Sequence, residues 1–543
     1  VTLDQPPRPE AVPPPVRGLP EWIEPTFRFR EGLDPIGLRA LTAGRIVSRL
    51  TPAVLALSDR ARYVSFYAWL LKRYAEQRRP LSMTALGNYI LAREYEFGLA
   101  VRLCPNGCGS SPMGMRRIAP VVAQQPAEYA RGESVESPQG GYGLYYRSPM
   151  LALELVRPPG TMLGEEAIKL DVLNRGFPTA VAIADAFEAA VADTDYVRLY
   201  LDREGPIPAG ALIEYAAHGC LCRLPDHPIE RGLLRSAYLE QSAGQPGDDV
   251  ARRREAFALF LDLVDRGAGP ERGDDQFRWA IWTAFGNGPS GSEARDGALA
   301  RWAALAAINF IQDGINRMWV DGGRALREAD RGGGLDWTTL AGVASGLAAG
   351  EPLTMPGGPV ETTPDRDMRE FAAEVARSAA AAGLVEILAW SRTDRRAIAG
   401  AALILAVHTQ LPDGDAVDPA WFDVATVNGD WQPGLLALSG RLRERLAKGG
   451  TLGELMVWLL DHLVVRPHEN NAYSKLPDFT FRWRWEAGRL RFYDHPIAWD
   501  ALGDLRSSAM TRLLTDLGFL VATADGAALA DDGRNFAADV FGS

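Results

Sequence analysis

The stretch SDRARYVSFYAWLLKRYAEQRR, Ser58–Arg79, sets the fold class of this chain. Between Tyr63 and Leu71 apolar residues fall on nearly every side of a 3.6-residue period. The pattern therefore predicts a helix buried all round, not an amphipathic helix lying on a surface. Ser58 stands as its candidate N-cap. Lys72, Arg73, Arg78 and Arg79 gather at the other end, where cations suit the helix dipole. A helix enclosed on all sides needs other helices around it, and the rest of the chain supplies them.

A second helix is predicted between Leu33 and this one, and LSMTALGNYILAREYEFGLAV follows Pro80 as a third. An amphipathic helix runs from about Val250 to Arg266, with Phe257, Phe260, Leu261 and Val264 on one stripe and Gly267 as its stop. Further helices are expected at 207–218, 228–240, 294–320, 366–392, 394–409 and 432–449. Loops rich in Gly, Pro and Asp separate them at 267–275, 286–293, 327–334, 349–365 and 411–419. The reading is mostly α and multi-domain. Its boundaries are a Pro-rich arm at 1–30, a helical domain at 31–200, a central helical domain at 201–450, and a hairpin with a terminal module at 451–543.

Strand patterns occur in two places near the end. In FTFRWRWEAGRLRFY, Phe479–Tyr493, the period-two alternation puts Phe479, Phe481, Trp483 and Trp485 on one face and Thr480, Arg482 and Arg484 on the other. After a turn at Glu486–Gly488, Leu490 and Phe492 continue the apolar face, with Arg489 and Arg491 opposite. Arg482, Arg484, Arg489 and Arg491 would then share a patch and repel one another unless something anionic compensates them. That patch is either a phosphate-tracking or acidic-partner surface, or a solvated face whose arginines protect a sheet edge. Beyond it, a helix carrying Ala509, Leu513, Leu514 and Leu517 stops at Gly518. A strand at Phe519–Val521, a turn at Asp525-Gly526, a return at Ala527–Leu529 and a last helix from about Asp532 complete the order of a winged-helix-like module. A second such module is read at 148–192, with Ser148 as N-cap and Pro149 at the first helical position. In the C-terminal module Leu505–Leu517 takes the place of a recognition helix and offers Arg506 and Arg512. The surrounding Asp500, Asp504, Asp516, Asp525, Asp531 and Asp532 suit a protein partner better than DNA.

The net charge of −11 opposes general coating of nucleic acid. Lys72, Lys169, Lys448 and Lys475 are the only lysines, so nearly all positive charge is arginine. VTLDQPPRPEAVPPPVRGLP has no apolar core of a secretory signal, and no run reaches the ~18 apolar residues of a membrane span. AIAGAALILAV, Ala397–Val407, reads as a buried helix. A cytoplasmic location follows as the expectation.

The four cysteines come as Cys104-x3-Cys108 and Cys220-x-Cys222, with His218 beside the second pair. Two such pairs could close a four-thiolate zinc site, or one including His218. Their spacings are not the two-residue knuckles, and free cysteine is commonly a small buried hydrophobe. No cofactor is therefore expected, with zinc as the alternative. No Walker loop, dinucleotide fingerprint or nucleophile elbow appears. GGYGLYY at 140–146 feeds no lysine, and Asp365, Asp367 and Glu370 read as a helix N-terminus. Lys475, Asp478 and Glu486 are the nearest approach to a nuclease cluster.

The segments LDPIGLRALTAGRIVSRLTPAVLALSDRARYVSFYAWLL, GGYGLYYRSPMLALEL and AYSKLPDFTFRWRWEAGRL with LLTDLGFL together resemble uncharacterised bacterial proteins associated with anti-phage defence islands. The resemblance spans most of the chain and implies a subunit of a defence complex, alongside a helicase or nuclease. Its motifs are structural, so it transfers no site. The expectation is a non-catalytic scaffold or adaptor with protein partners and non-specific DNA contact. A metal-dependent nuclease whose acids converge only in the fold, and a transcription regulator, are the alternatives. If the arginine face holds duplex DNA, binding lies in the ~10⁻⁴–10⁻⁶ M range with a log–log salt slope of roughly −0.9 per phosphate contact. Changing Arg482, Arg484, Arg489 and Arg491 together to Gln should abolish that binding in a fluorescence titration. Native protein that binds no DNA even at low salt contradicts this reading.

Overall fold

The helix predicted from Ser58–Arg79 runs from Ala61 to Glu76 in the computed structural model, and Tyr63, Phe66, Tyr67, Trp69 and Leu70 are buried as the all-round pattern requires. The structure describes residues 28–77, 79–240, 247–411, 435–500, 502–524 and 526–542. The helix start differs from the expectation. The Ser58 hydroxyl closes a local turn with the backbone of Leu55. The first helical N–H, that of Ala61, is accepted instead by the Asp516 carboxylate at 2.9 Å. A cap supplied from so far along the chain leaves no local signature. At the other end Lys72 reaches Asp185 and Glu188 at 2.5 and 2.6 Å, while Arg73 and Arg79 share Asp202 at 2.6 and 2.9 Å. Arg78 lies outside the described residues.

The fold is mostly α, and every sheet among the described residues has two strands. The residues group into two units that interleave along the chain, where the sequence suggested consecutive domains. One holds the described residues up to Ile46 with those of 281–287 and 300–504; the other holds those of 47–280, 288–299 and 505–543. Most of the expected Pro-rich arm lies outside the described residues.

In the second unit, aromatic rings from the Ala61–Glu76 and Met83–Arg102 helices form the core, with Phe66 and Phe97 stacked at 4.3 Å. The C-terminal run follows the order read from sequence: helix Ser507–Asp516, strands Leu520–Thr523 and Gly526–Leu529, helix Asp531–Phe541. Asp525, half of the expected turn, lies outside the described residues. Of the two arginines of the Ser507–Asp516 region, only Arg512 remains exposed. Arg506 turns inward to the backbone oxygens of Thr51 and Val54 and to the Ser48 hydroxyl, and Arg512 pairs with Asp59. At 148–192 helix Arg147–Ala152, two short strand pairs and helix Pro178–Val191 follow in order. Ser148 lies inside that first helix, one residue past its start, because a π-helical turn at Tyr142–Tyr146 leads directly into it.

In the first unit the Ala397–Gln410 helix is buried from Ala397 to Val407, as its apolar composition requires. It crosses the Glu293–Arg317 helix with the two backbones in contact, since a Cβ at Gly400 would sit 2.4 Å from the carbonyl oxygen of Gly314. Only glycine permits that approach. No helix among the described residues is long and apolar enough to cross a membrane.

The hairpin forms with strands Trp483–Glu486 and Arg489–Phe492, in the register Trp483↔Phe492, Arg484↔Arg491, Trp485↔Leu490 and Glu486↔Arg489. Its two-residue turn has positive φ at both Ala487 and Gly488, the geometry that matches strand twist. Both outer edges are occupied. Glu469 accepts from the Trp485 N–H, and Leu335 exchanges backbone hydrogen bonds with Leu490. Phe481, Trp483 and Leu490 are fully buried, Trp483 against Trp319 at 4.8 Å.

The arginines do not form the single open face that strict alternation implies. The ribbon breaks at Thr480–Arg482, and the buried Arg482 guanidinium donates to the carbonyls of Thr480, Gly32 and Pro496. Arg484 and Arg491, opposite each other, share Glu486, which also accepts from the Tyr493 hydroxyl. Glu486 thus supplies the anion that keeps the paired cations together. Arg489 alone of the four is exposed, donating to the Gly334 carbonyl at 3.0 Å. Arg482→Gln should therefore cost about 1–3 kcal/mol, because buried carbonyls lose their donor. Arg489→Gln should stay within about 0.5 kcal/mol of wild type. Urea unfolding of the two single variants checks this, and equal stabilities would contradict the placement of Arg482.

Candidate metal centre

Two short segments from distant parts of the second unit deliver four sulfur atoms to one point. The first follows the Met83–Arg102 helix, where Cys104-Pro-Asn-Gly-Cys108 folds into a turn closed by the Gly107 N–H on the Cys104 carbonyl at 3.0 Å. Gly107 and Gly109 have φ of +57° and +65°, a conformation that penalises any side chain. The second segment begins where the Ala209–Gly219 helix ends. Cys220 leaves helical geometry there, and a 3-10 helix, Leu221–Asp226, starts at once. That tight turn keeps Cys220 and Cys222 close while Leu221 is buried.

All four ligand atoms lie within 4.8 Å of one another. The Sγ atoms of Cys104 and Cys222 are 3.7 Å apart, as are those of Cys108 and Cys220. A disulfide would bring a pair to about 2.05 Å, so these are free thiols. Four thiolates bound at ~2.3 Å around a tetrahedral metal have edges of about 3.8 Å, which the measured pairs match. The four-cysteine set is complete without His218, whose carbonyl contacts the His227 ring at 3.2 Å. The four-cysteine cluster offered by the sequence as the alternative does assemble: the turns bring the two pairs together despite spacings unlike the two-residue knuckles.

Cys104 and Cys220 are buried, while Cys108 and Cys222 are partly exposed. Burial pushes the Cys220 thiol far up and the Cys222 thiol up to about 11. At Cys108 burial acts in the same direction, but hydrogen bonds with Ser110 and the neighbouring thiols outweigh it and draw this thiol down to about 7. A divalent cation would stabilise all four as thiolates, with release of protons on binding.

Two arginines at the start of the Ala61–Glu76 helix hold the segments in place. Arg60 donates to the Ser110 hydroxyl and to the Leu221 carbonyl, both at 3.3 Å, and pairs with both oxygens of Asp516 at 3.0 Å. Ser110 in turn lies 3.3 Å from the Cys108 sulfur. Arg62, with Glu230 as its fully buried counterion, donates to the Cys220 carbonyl at 2.6 Å. With its amide oxygen turned towards Arg223, Asn106 accepts two further hydrogen bonds, at 3.0 and 3.2 Å, and ties the first segment to the second. Sequence reasoning passed over Arg60, Arg62, Ser110 and Glu230, and read Asp516 as part of an acidic surface where the structure buries it against Arg60. The one available signal was a pair of cations at a helix N-terminus, where the dipole disfavours them.

The remaining sequence candidates have separate partners. Lys475 donates to the carbonyls of Leu33 and Asp34, Asp478 pairs with Arg30 at 3.4 Å, and Glu486 serves the hairpin. Asp367 caps the Met368–Ala382 helix, as read. The glycines of GGYGLYY let the backbone approach Glu94, which accepts from Gly141 and Tyr142 at 2.9 and 3.1 Å. Comparison of the chain with protein-family models, curated proteins and solved structures gives no match.

Replacing Asp516 with Asn should leave Arg60 without its counterion. The expected cost is about 3 kcal/mol, with faster labelling of Cys108 by a thiol reagent as the loop loosens. Unchanged labelling would mean that Arg60 does not position the cysteine loop.

Proposed function

We propose that this chain is a non-catalytic scaffold or adaptor subunit of a bacterial multi-protein complex, and that a structural zinc ion held by Cys104, Cys108, Cys220 and Cys222 fastens one of its two units. The single observation that carries this reading is the convergence of four thiols within 4.8 Å of one another, two of their pairs at the 3.7 Å of a tetrahedral edge. An all-sulfur set selects zinc or iron among common metals. Four protein ligands also fill the tetrahedron, leaving no position for a metal-bound water to act as nucleophile. Such a centre joins distant stretches of chain and does no hydrolysis.

Free thiols in such a set fit a reducing cytoplasm. The resemblance to defence-island proteins supports anti-phage defence as the setting, with a helicase or nuclease as the working partner. Contact with nucleic acid, in this reading, falls to Arg489 and Arg491, the least buried of the hairpin arginines. The winged-helix-like order at the C-terminus serves protein contact, since Arg506 is turned inward and Arg512 stands beside the acidic Asp59.

Purified protein should be colourless and contain about one zinc per chain. Cys220→Ser should lose the metal and lower the thermal midpoint by ~5–10 °C. The zinc-loaded chain should leave plasmid and single-stranded DNA intact with Mg²⁺ or Mn²⁺ present. Bound iron, metal-free protein of undiminished stability, or cutting that co-elutes with the chain would each overturn the proposal.

A further inference from the structure

The four sulfurs divide into two pairs of the same construction. Cys108, partly exposed, lies 3.7 Å from the buried Cys220, and Cys222, partly exposed, lies 3.7 Å from the buried Cys104. Each pair therefore combines a more exposed cysteine with a less exposed one, Cys104 keeping 9 % of its surface and Cys220 1 %. Each pair also joins the two segments, spanning 112 and 118 positions of sequence.

We propose that the centre is a site of reversible peroxide modification, in which oxidation expels the metal and leaves the cross-segment disulfides Cys108–Cys220 and Cys104–Cys222. The proposal takes the thiolate centre of the preceding section as its starting point and assigns it a reaction. In the first step the exposed thiolate attacks a peroxide oxygen. The O–O bond breaks, hydroxide leaves, and the sulfur becomes a sulfenic acid. The buried neighbour then attacks that sulfur, the S–O bond breaks, and a second hydroxide departs as the S–S bond forms. Each disulfide consumes one peroxide and two protons and yields two waters. The metal, deprived of its anionic ligands, leaves as the free dication.

Proximity favours this pairing within a cluster whose four sulfurs all lie within 4.8 Å of one another. The resolving sulfur is already within 3.7 Å, so closing to bonding distance needs less than 2 Å of movement. Asn106 to Arg223, and Arg60 to both Ser110 and Leu221, keep the segments side by side while the bonds exchange. The metal cross-link is thereby replaced by a covalent one between the same two stretches. Thiol reductant with added zinc restores the starting state.

The test treats the purified 543-residue chain with a few equivalents of hydrogen peroxide. Zinc release is followed with a chromogenic chelator, and the cysteine pairs are mapped by differential alkylation and mass spectrometry. The expected products are Cys104–Cys222 and Cys108–Cys220, formed in step with zinc release and reversed by dithiothreitol. The double variant Cys104→Ser with Cys222→Ser, which keeps one intact pair, should form Cys108–Cys220 alone. Local pairs Cys104–Cys108 and Cys220–Cys222, overoxidation of Cys108 and Cys222 without cross-links, or thiols that stay reduced would each overturn the proposal. Protein purified without zinc that still forms the two cross-segment pairs would refute the metal reading and support the pairing. Zinc-loaded protein whose thiols resist peroxide would refute only the pairing.

Discussion

Burying a guanidinium group costs several kcal/mol unless a counterion and hydrogen-bond acceptors accompany it. At Arg60 and Arg62 that requirement organises the second unit. Asp516 and Glu230 are drawn in as counterions, and the carbonyls of Leu221 and Cys220 with the hydroxyl of Ser110 take the remaining donors. These contacts fix the backbone beside both cysteine segments, so the spacing of the sulfurs is set by where two arginines can be satisfied. Asp516 also caps the helix that carries them, which links the C-terminal Ser507–Asp516 helix to the same cluster.

Other arginines in the chain play the same part. Arg317 donates to the carbonyls of Ser391, Asp394 and Asp313, Arg369 to those of Leu446 and Ala447, and Arg327 to those of Tyr493 and His495. Arg482 and Arg506 repeat the pattern. The planar fork presents five donors in fixed directions and so can hold two or three stretches of backbone at once. The near-absence of lysine thus accompanies a structural use of arginine. The hairpin shows the cost of reading such arginines as surface charge, because Arg482, buried while it fastens carbonyls, is withdrawn from any external anion.

Local features were legible in the sequence. The buried Ala61–Glu76 and Ala397–Gln410 helices followed from apolar residues on all sides, and the hairpin and C-terminal element order followed from alternation and turn residues. What escaped was long-range. Asp516 capping a helix 455 positions away cannot be inferred from nearby residues, and neither can Arg482 turning inward where the ribbon breaks. The cysteines mark the boundary between the two kinds of feature. Each pair was visible, but only the fold shows that the Pro-Asn-Gly turn and the Ala209–Gly219 helix end point their sulfurs at the same spot.

The central claim is that these four sulfurs form one closed metal centre. Zinc K-edge X-ray absorption on the purified chain tests it most directly. The account predicts a single shell of four sulfur scatterers at about 2.3 Å and no light-atom neighbour at ~2.0 Å. A first shell containing nitrogen or oxygen, or a chain that holds no zinc, would contradict it.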